Sequence, residues 1–547
     1  MRRDLFAPGL RFAAGTLLLF FLLPACSGAG GESGGTERRE AETMLGLSQR
    51  VADNWIRTVR PEQNDWAWGD GVLMFGLSQL ASVAPKPEYW DYLGAWMDHH
   101  LSQGYTLAFS DHCPPGIAAV RLQERTGDPR YLAVTDRIWD YLQNVAARTS
   151  DGGLNHMGFV TGRQLWVDSL FMFGIVLNEM ARREDNDAYR QELLDQVRVF
   201  SLHLRDEASG LYRHMWDDRT KKVTPEEPLF WARGNAWVFV TLVELLGQLD
   251  GNDPRRQEPL DILAAMAESL ASWQAPSGLW HTLVNDPDTY EETSASALFA
   301  YGFHKGMRVG VLPQGYGNVV ERAMAGLRTR LLRGCEGGVI VAGTSHGTSP
   351  GDRSYYANVT VGDQVPYGVG AVLLACTEVG DWPASANLPA KEGCPEIPED
   401  PRTPEELVAR AVYRLGGADL EGAREDFRRV EALEPQKGEG LFGDAFVDLL
   451  FTAFRIYDEF VRFSIEEVSW ADFQEVVRAE ILPALEGIRG KISLAGKDEG
   501  FSLSIPALQI NRRGMYTPFL DLSFDARSAA DVLVVLNLVG FLLGILT

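Results

Sequence analysis

The sequence predicts an all-α protein, an (α/α)₆ barrel or six-hairpin toroid followed by an additional, mainly helical C-terminal domain. Six times the chain presents a polar or aromatic turn and then an apolar helix rich in small residues, at intervals of roughly 45 to 75 residues. Amphipathic helices with charged faces lie between them, at residues 130–147, 187–204 and 259–273. Apolar helices are buried and one-sided helices cover them, so six pairs form an inner and an outer ring. A helical solenoid is the structural alternative, and the uneven repeat length counts against it.

The six inner segments are predicted to line one mouth of the barrel with their N-terminal residues. Small residues within them allow neighbouring helices to approach closely. Helix N-termini also favour bound anions, because their dipoles and free N–H groups point at the ligand. The segments are residues 66–77, 111–120, 166–172, 231–240, 291–300 and 366–374.

Composition changes along the chain predict its domain boundaries. A signal peptide over residues 1–25 and a tether over residues 26–44 precede the barrel, which takes residues 45–388. A linker over residues 389–403 leads to the C-terminal domain, residues 404–547.

The C-terminal domain is expected to begin with a tetratricopeptide-like hairpin at residues 404–435. One such hairpin cannot bury its own apolar face, so it must pack on the predicted helices at 441–462 and 471–489. Residues 491–524 are expected as short strands or extended loops. The apolar residues 530–546 are short for a membrane span and are expected as a buried terminal helix.

The N-terminus is typical of an exported lipoprotein. Arg2 and Arg3 precede a largely apolar run at residues 12–23, and the small residues that follow end in Leu23-Pro24-Ala25-Cys26. This tetrapeptide resembles a bacterial lipobox, which implies cleavage before Cys26 and lipidation of its thiol. The sequence therefore predicts a cell-envelope lipoprotein of the outer membrane or periplasm. An ordinary secretory signal with a chance Cys is the alternative.

Charge and composition exclude several classes of protein. The chain of 547 residues has a net charge of −24 and no basic footprint for general nucleic-acid binding, and its hydrophobic content of 45% excludes wholesale disorder. The sequence has neither a Gly-rich phosphate loop after a strand nor zinc-type Cys/His spacing, so no metal, nucleotide or redox cofactor is predicted.

The cysteines other than Cys26 leave three pairings open in an oxidising compartment. Cys113 is expected as an unpaired buried thiol. A disulfide is expected to join two of the remaining three, Cys335, Cys376 and Cys394.

The predicted mouth carries the residue types that a site for an acidic sugar needs. Asp111 and Asp168 open the second and third inner segments and provide two carboxyls for acid/base chemistry. His214 precedes the fourth segment, where Arg233 and Trp237 share a helix face and suit a carboxylate and a sugar ring. Each has a simpler interpretation as well: Asp111 as an N-cap, Arg233 as a cation–π partner and His214 as a loop hydrogen bond.

Four motifs occur in one order along residues 45–380. They are Asp111-His112-Cys113-Pro114-Pro115-Gly116, Gln164-Leu165-Trp166-Val167-Asp168-Ser169-Leu170-Phe171-Met172, Phe230-Trp231-Ala232-Arg233-Gly234-Asn235-Ala236-Trp237, and Gly278-Leu279-Trp280-His281 followed by Tyr290-Glu291-Glu292-Thr293-Ser294-Ala295-Ser296-Ala297. Together they resemble the unsaturated rhamnogalacturonyl hydrolases of glycoside hydrolase family 105 and, more distantly, the unsaturated glucuronyl hydrolases of family 88.

The resemblance implies an (α/α)₆ barrel that hydrates the C4=C5 double bond of an unsaturated uronic acid at a non-reducing end. It implies that Asp168 protonates C4 and then helps to deprotonate the water that adds at C5, while Asp111 orients sugar hydroxyls or the water. The hemiketal then opens and the glycosidic bond is lost. The implied partner is an unsaturated acidic oligosaccharide. The candidate sugar contacts are His214, Trp231, Arg233, Trp237, Trp68 and His281.

The chain also departs from the family pattern. Ala236 stands where relatives usually have Gly, His156 lies in a segment whose local match is poor, and the C-terminal 150 residues have no counterpart. An unsaturated glucuronyl hydrolase acting on glycosaminoglycan-like disaccharides is the nearest alternative. A non-catalytic glycan-binding lipoprotein, whose C-terminal domain recruits an envelope protein, is another; the presence of both Asp111 and Asp168 counts against it. A lyase on the same fold would need a Tyr or His base beside an Arg.

Overall fold

The computed structural model describes residues 42–158, 163–335, 337–385, 387–392, 394, 401–416, 419–464, 469–508, 511–512, 515–516 and 520–546. The predicted signal peptide and the lipidation site Cys26 lie outside these described residues. Residues Ala41–Thr547 belong to one compact unit.

Helices and short strands alternate along the barrel region. The helices are α1 (Met44–Thr58), α2 (Trp68–Val83), α3 (Pro87–Gln103), α4 (Pro115–Thr126), α5 (Pro129–Asp140), α6 (Ser169–Met172), α7 (Gly174–Glu184), α8 (Asp187–Leu204), α9 (Ala232–Gln248), α10 (Gln257–Ser272), α11 (Thr293–Arg308), α12 (Gly317–Arg328), α13 (Arg353–Ala357) and α14 (Pro366–Glu378). The strands are β1 (Gln164–Trp166), β2 (Met215–Asp217), β3 (Lys222–Thr224), β4 (Trp280–His281), β5 (Glu291–Glu292), β6 (Leu331–Arg333), β7 (Val339–Val341), β8 (Thr344–Ser345) and β9 (Val361–Gly362). Short 3₁₀ turns occupy Pro61–Gln63, Ser110–His112 and Gln314–Tyr316, and a π-turn over Tyr141–Val145 continues α5.

The inner helices form a closed ring. In order around it, α2 contacts α4, α4 contacts α7, α7 contacts α9, α9 contacts α11, α11 contacts α14, and α14 returns to α2. Helices α1, α3, α5, α8, α10 and α12 pack on the outside of this ring. The prediction of six hairpins in a toroid is confirmed, and the solenoid alternative is wrong because the last inner helix contacts the first.

The strands are too short to form a core and instead brace the turns between helices. β1, β2 and β3 form one antiparallel sheet, while β4–β5, β6–β7 and β8–β9 are separate antiparallel pairs. Most of them join the end of an outer helix to the start of an inner one. They therefore hold the loops at the N-terminal ends of the inner helices.

The ring closes where α2 and α14 lie almost in backbone contact. A Cβ added to Gly76 would overlap the carbonyl oxygen of Gly370, and a Cβ added to Gly370 would overlap the carbonyl oxygen of Val72. The predicted role of small residues in close helix approach is thus confirmed at this crossing.

A disulfide fastens the segment that leaves the barrel. Cys335 is bonded to Cys394, 59 residues further along, and Arg333 forms an isolated bridge with Ala390 beside it. Cys113 and Cys376 are buried free thiols. The expectation of one bridge among the last three cysteines and an unpaired Cys113 is confirmed.

The C-terminal region has a second apolar core. Its elements are α15 (Pro404–Gly416), α16 (Leu420–Leu433), α17 (Gly438–Ser464), α18 (Trp470–Val476), a π-turn (Val477–Ile481), α19 (Leu482–Ala495), β10 (Ser502–Leu508), β11 (Asn511–Arg512), β12 (Met515–Tyr516), β13 (Leu520–Asp525) and α20 (Ala526–Leu546). The α15–α16 hairpin packs on α17, α17 packs on α19, and α19 packs on α20. The hairpin therefore finds the helical neighbours that its apolar face requires.

The terminal helix α20 is only half covered. Leu536 and Leu543 are buried, but Val534, Val535 and Leu538 are 68%, 59% and 58% exposed. The expectation of a fully buried terminal helix is therefore wrong, because α19 and the strands cover one face alone. Within the described ranges, no helix combines the length and apolar character needed to cross a membrane.

The contact at Gly370 makes a testable prediction about stability. Gly370→Ala should destabilise the fold by about 1–3 kcal/mol or more, because α2 backbone occupies the place of the new methyl group. The matched control is Gly94→Ala in α3, where an added Cβ meets no atom within 4 Å. This control should raise stability by up to about 1 kcal/mol, since Ala is the better helix former. Urea denaturation measures both, and equal effects of the two variants would contradict the close packing.

Candidate active site

The loops at the N-terminal ends of the inner helices bring the candidate residues together. Strand β1 pairs with β2 so that Trp166 lies opposite Met215, and the N–H of Val167 donates to the carbonyl of His214 at 2.8 Å. This backbone pairing places Asp168, the next residue, beside His214.

A hydrogen-bonded chain of three side chains forms the centre of the site. Nε2 of His214 lies 3.1 Å from Oδ2 of Asp168, and Nδ1 of His214 lies 2.9 Å from the hydroxyl of Tyr356. The His214 ring is fully buried and stacks on Trp231 with 4.3 Å between ring centroids. His214 therefore bonds to two side chains outside its own loop, which contradicts the simpler interpretation as a local loop contact.

A second histidine, His156, completes the other side of the site. Its Nδ1 bonds to the hydroxyls of Ser110 at 3.0 Å and Ser169 at 2.9 Å, and lies 3.9 Å from Oδ1 of Asp111. Its ring stacks on Trp166 at 4.2 Å. Burial lowers the pKa of His156 to about 4, so the ring is neutral near pH 7 and does not form an ion pair with Asp111.

The two aspartates carry opposite pKa shifts. Burial and the charge of Asp168 raise the pKa of Asp111 to about 8, against the hydrogen bond of Ser110. Burial also acts to raise the pKa of Asp168, but the field and hydrogen bond of His214 outweigh it and hold that pKa below its usual value. Two neighbouring carboxyls in a dry site share one proton. Near neutral pH the proton resides on Asp111, whose Oδ1 is buried without a hydrogen-bond donor.

The N-cap interpretation of Asp111 is wrong. The N-cap position of α4 belongs to Pro114, and Asp111 lies within the preceding 3₁₀ turn. Asp168 does occupy the N-cap position of α6, but its side chain makes no capping bond. Neither carboxyl caps a helix, so both can interact with other groups.

Arg233 is fully buried near the start of α9 and binds a loop of the chain itself. Its Nη atoms donate to the carbonyl oxygens of Ser345 at 2.9 Å and His346 at 2.8 Å, and to the hydroxyl of Thr348 at 3.1 Å. The guanidinium lies against the rings of Trp231 and Tyr367 at 4.8 and 4.9 Å. The cation–π interpretation is thus confirmed. Contact of Arg233 with a substrate carboxylate remains a prediction, and its Nε is the group left for it.

Aromatic rings line the cluster on the side of α2. Trp68 stacks on Tyr367 at 4.4 Å and meets Trp237 edge-on at 6.3 Å. The indole N–H groups of Trp231 and Trp237 are buried without acceptors among the described residues. A buried unpaired polar group costs about 1–3 kcal/mol, so a polar partner at either N–H group would be stabilising.

His281 lies on β4, directly before the residues that pair with the Trp231 segment: the N–H of Ala232 donates to the carbonyl of Thr282 at 2.8 Å. Nδ1 of His281 bonds to the carbonyl of Thr289 within the β4–β5 hairpin, near Asp286, which is paired with Arg353. Contact of His281 with a substrate stays a prediction. Sequence reasoning missed Tyr356 and Tyr367 and did not select His156. Tyr367 opens the sixth inner segment, so the repeat pattern contained a signal for it, whereas no motif marked Tyr356.

Comparisons with known proteins agree with this geometry. The model of Glycosyl Hydrolase Family 88 matches residues 42–381. The unsaturated rhamnogalacturonyl hydrolase YesR of Bacillus subtilis is 28% identical over 254 residues, which is 46% of this chain and 73% of that protein. An unsaturated 3S-rhamnoglycuronyl hydrolase of Alteromonas is 26% identical over 48% of this chain and 64% of its own length. The crystal structure of a possible member of GH105 family from Salmonella enterica covers 61% of this chain and 93% of its own, with a TM-score of 0.56 and 27% identity.

The raised pKa of Asp111 predicts a pH-dependent cost to stability. The folded protein binds more protons than the unfolded chain between the unfolded pKa of 3.8 and the folded pKa of about 8, so stability falls as pH rises through this window. Asp111→Asn removes this penalty and should be roughly 1–3 kcal/mol more stable than the wild type at pH 8, with little difference at pH 4. Urea denaturation across this range measures it. The control is the exposed Asp250→Asn, and a constant offset between wild type and Asp111→Asn would contradict the shift.

Proposed function

Because the chain belongs to Glycosyl Hydrolase Family 88, we propose that it hydrates the C4=C5 double bond of a terminal unsaturated uronic acid and thereby releases that sugar from an oligosaccharide. One observation carries the proposal: Asp111, whose pKa is raised by burial and by the charge of Asp168, and Asp168, whose pKa His214 holds low against burial, lie in one cluster with His156 and His214. Hydration of an alkene needs one proton donor and one proton acceptor, and this pair provides both.

The contacts support a division of the two proton transfers. Asp111 retains its proton near neutral pH and donates it to C4. Asp168, ionised and held by His214, accepts a proton from the water whose oxygen bonds to C5. The family resemblance assigns both transfers to Asp168. The His214 contact favours its role as base, because a donor on its carboxylate stabilises the ionised form.

Hydration is sufficient to break the glycosidic link. The new hydroxyl at C5 makes a hemiketal, whose C5–O5 bond opens to a ketone and leaves a hemiacetal at C1. The hemiacetal collapses to an aldehyde and releases the next sugar as an alcohol. The proton taken by Asp168 returns to Asp111 before the next turnover, so the pair begins each cycle with one proton.

The aromatic cluster supports binding of an acidic, planar sugar. Trp68 is half-buried with one ring face on Tyr367, which leaves part of its surface for a sugar, while the N–H groups of Trp231 and Trp237 and Nε of Arg233 lack acceptors in the described part of the chain. A carboxylate and ring hydroxyls supply acceptors of this kind. We take the substrate to be a rhamnogalacturonan-type oligosaccharide, following the resemblance to YesR, with a glucuronyl disaccharide as the alternative substrate.

Hydration destroys the conjugated double bond, so loss of its ultraviolet absorbance measures the reaction directly. We expect wild-type protein to remove the ultraviolet absorbance of lyase-generated unsaturated disaccharides. Asp168→Asn and Asp111→Asn should each lower kcat by at least about a hundredfold. Asp217→Asn is the matched control, since this aspartate lies on β2 beside the site but bonds only to Gln164 and Thr220.

The outcomes separate the candidate functions. A faster reaction with rhamnogalacturonyl than with glucuronyl disaccharides would support the first substrate. Binding of the disaccharides without any loss of absorbance would contradict hydration and support a non-catalytic glycan-binding lipoprotein. Equal loss in Asp217→Asn would contradict the assignment of the two aspartates.

We also propose that the mature protein is anchored to the cell envelope by lipid on Cys26, and that residues 404–546 contact an envelope protein. The apolar run, the small residues and the position of Cys26 support the anchor. Cys26→Ser should move the protein from the detergent-soluble membrane fraction to the soluble fraction of the producing cell, as followed by immunoblot. Cys376→Ser, a buried thiol elsewhere in the chain, is the control. Unchanged fractionation of Cys26→Ser would contradict the anchor.

A further inference from the structure

Tyr356 is fully buried in the short helix α13 and has no part in the chemistry described so far. Its hydroxyl lies 2.9 Å from Nδ1 of His214, although the two residues are 142 positions apart in sequence. Among the described residues, Asp168 and Tyr356 are the two side chains that hydrogen bond to the His214 ring.

The proton on this hydroxyl can be assigned from its two partners. The N–H of Gly351 donates to the oxygen of Tyr356 at 3.3 Å, so the phenol oxygen serves as the acceptor in that bond. The single phenol proton is then directed to Nδ1 of His214. A neutral imidazole that accepts at Nδ1 carries its proton on Nε2. Nε2 faces Asp168, so the His214 proton is donated to the carboxylate.

The opposite tautomer would disturb the site. With the proton on Nδ1, the lone pair of Nε2 would face the carboxylate of Asp168 and repel its ionised form. The hydrogen bond made by one nitrogen of a histidine commonly determines which tautomer the other presents.

The loop that carries Tyr356 is held in place from several sides. Arg233 bonds to the carbonyls of Ser345 and His346, and the hydroxyl of Tyr367 donates to the carbonyl of Ser345 at 2.6 Å. The N–H of Ser345 donates to Glu292 at 2.9 Å. Since these bonds immobilise the start of the loop, Tyr356 approaches His214 from a defined direction.

From these contacts we propose that Tyr356 is a positioning residue, which holds His214 as the Nε2–H tautomer so that His214 keeps Asp168 ionised and oriented toward water. This inference rests on the hydration proposed above. In the same arrangement Arg233 anchors the loop that presents Tyr356.

Tyr356→Phe tests the proposal, because it removes one oxygen and retains the ring. We expect kcat to fall at least about tenfold with KM within about twofold, since the loss concerns proton transfer and not sugar binding. The acid limb of the kcat/KM profile should move to higher pH, because His214 is no longer held in the tautomer whose Nε2–H favours ionised Asp168. The titratable groups facing Asp168 are His214, His156, Asp111 and Tyr356.

The matched control is Tyr355→Phe. Tyr355 lies on the same helix and is 40% exposed, and its hydroxyl accepts from the N–H of Ser349 at 3.0 Å without contact to His214. We expect wild-type kinetics from this variant. Equal losses in both variants, or wild-type kinetics and an unmoved acid limb in Tyr356→Phe, would overturn the positioning role.

A measurement on the wild-type protein keeps the test decisive if Tyr356→Phe does not fold. Long-range ¹⁵N NMR should show His214 protonated on Nε2 and unprotonated on Nδ1, with the signal assigned by its absence in His214→Gln. A proton on Nδ1, in either a neutral or a charged ring, would overturn the proposal. If the wild type hydrates no unsaturated disaccharide, the proposed function fails, and the NMR result still decides the tautomer separately.

Discussion

Closure of the inner ring between α2 and α14 is the constraint on which the site depends. The crossing requires two glycines, Gly76 and Gly370, because each backbone occupies the space of the other's Cβ. A wider separation would leave the first and sixth hairpins as the free ends of an open stack. With the ring closed, Tyr367 stacks on Trp68, and the segment that precedes α14 brings Tyr356 to His214. Residues from the whole length of the barrel thereby meet at one mouth.

The site that results is electrostatically demanding. It buries Asp168, two histidines and an arginine and keeps Asp111 mostly covered, and burial of unpaired charge is strongly unfavourable. The structure reduces this cost in two ways: Asp168 is paired with His214, and Arg233 is satisfied by backbone carbonyls with Glu292 3.9 Å away. Among the described residues, Asp111 has no cationic partner of this kind, and burial and the charge of Asp168 favour its protonated form. The groups that still lack partners are those that a polar substrate can satisfy.

The buried carboxylates of the C-terminal region, unlike Asp111, are paired with cationic side chains. The helices of this region bury Asp426 between Arg410 and Arg414, and Asp444 beside Arg428 and Lys491. These carboxylates are paired within the region, so they indicate a structural role and not a second reactive centre. The exposed apolar face of α20 stands apart from this network, since neighbouring elements cover only its opposite side.

The sequence by itself determined the number of hairpins, their order and most of the residues at the mouth, because helical periodicity and short motifs are local properties of the chain. It also assigned Asp168 and Arg233 to inner segments and His214 to the loop before the fourth. Only the tertiary structure decided that Asp111 is not a cap, that Arg233 binds the 344–348 loop and that Tyr356 contacts His214. These features depend on contacts between distant segments, and the pKa values of the aspartates depend on burial. Both the contacts between distant segments and the burial of the aspartates arise only when the ring closes.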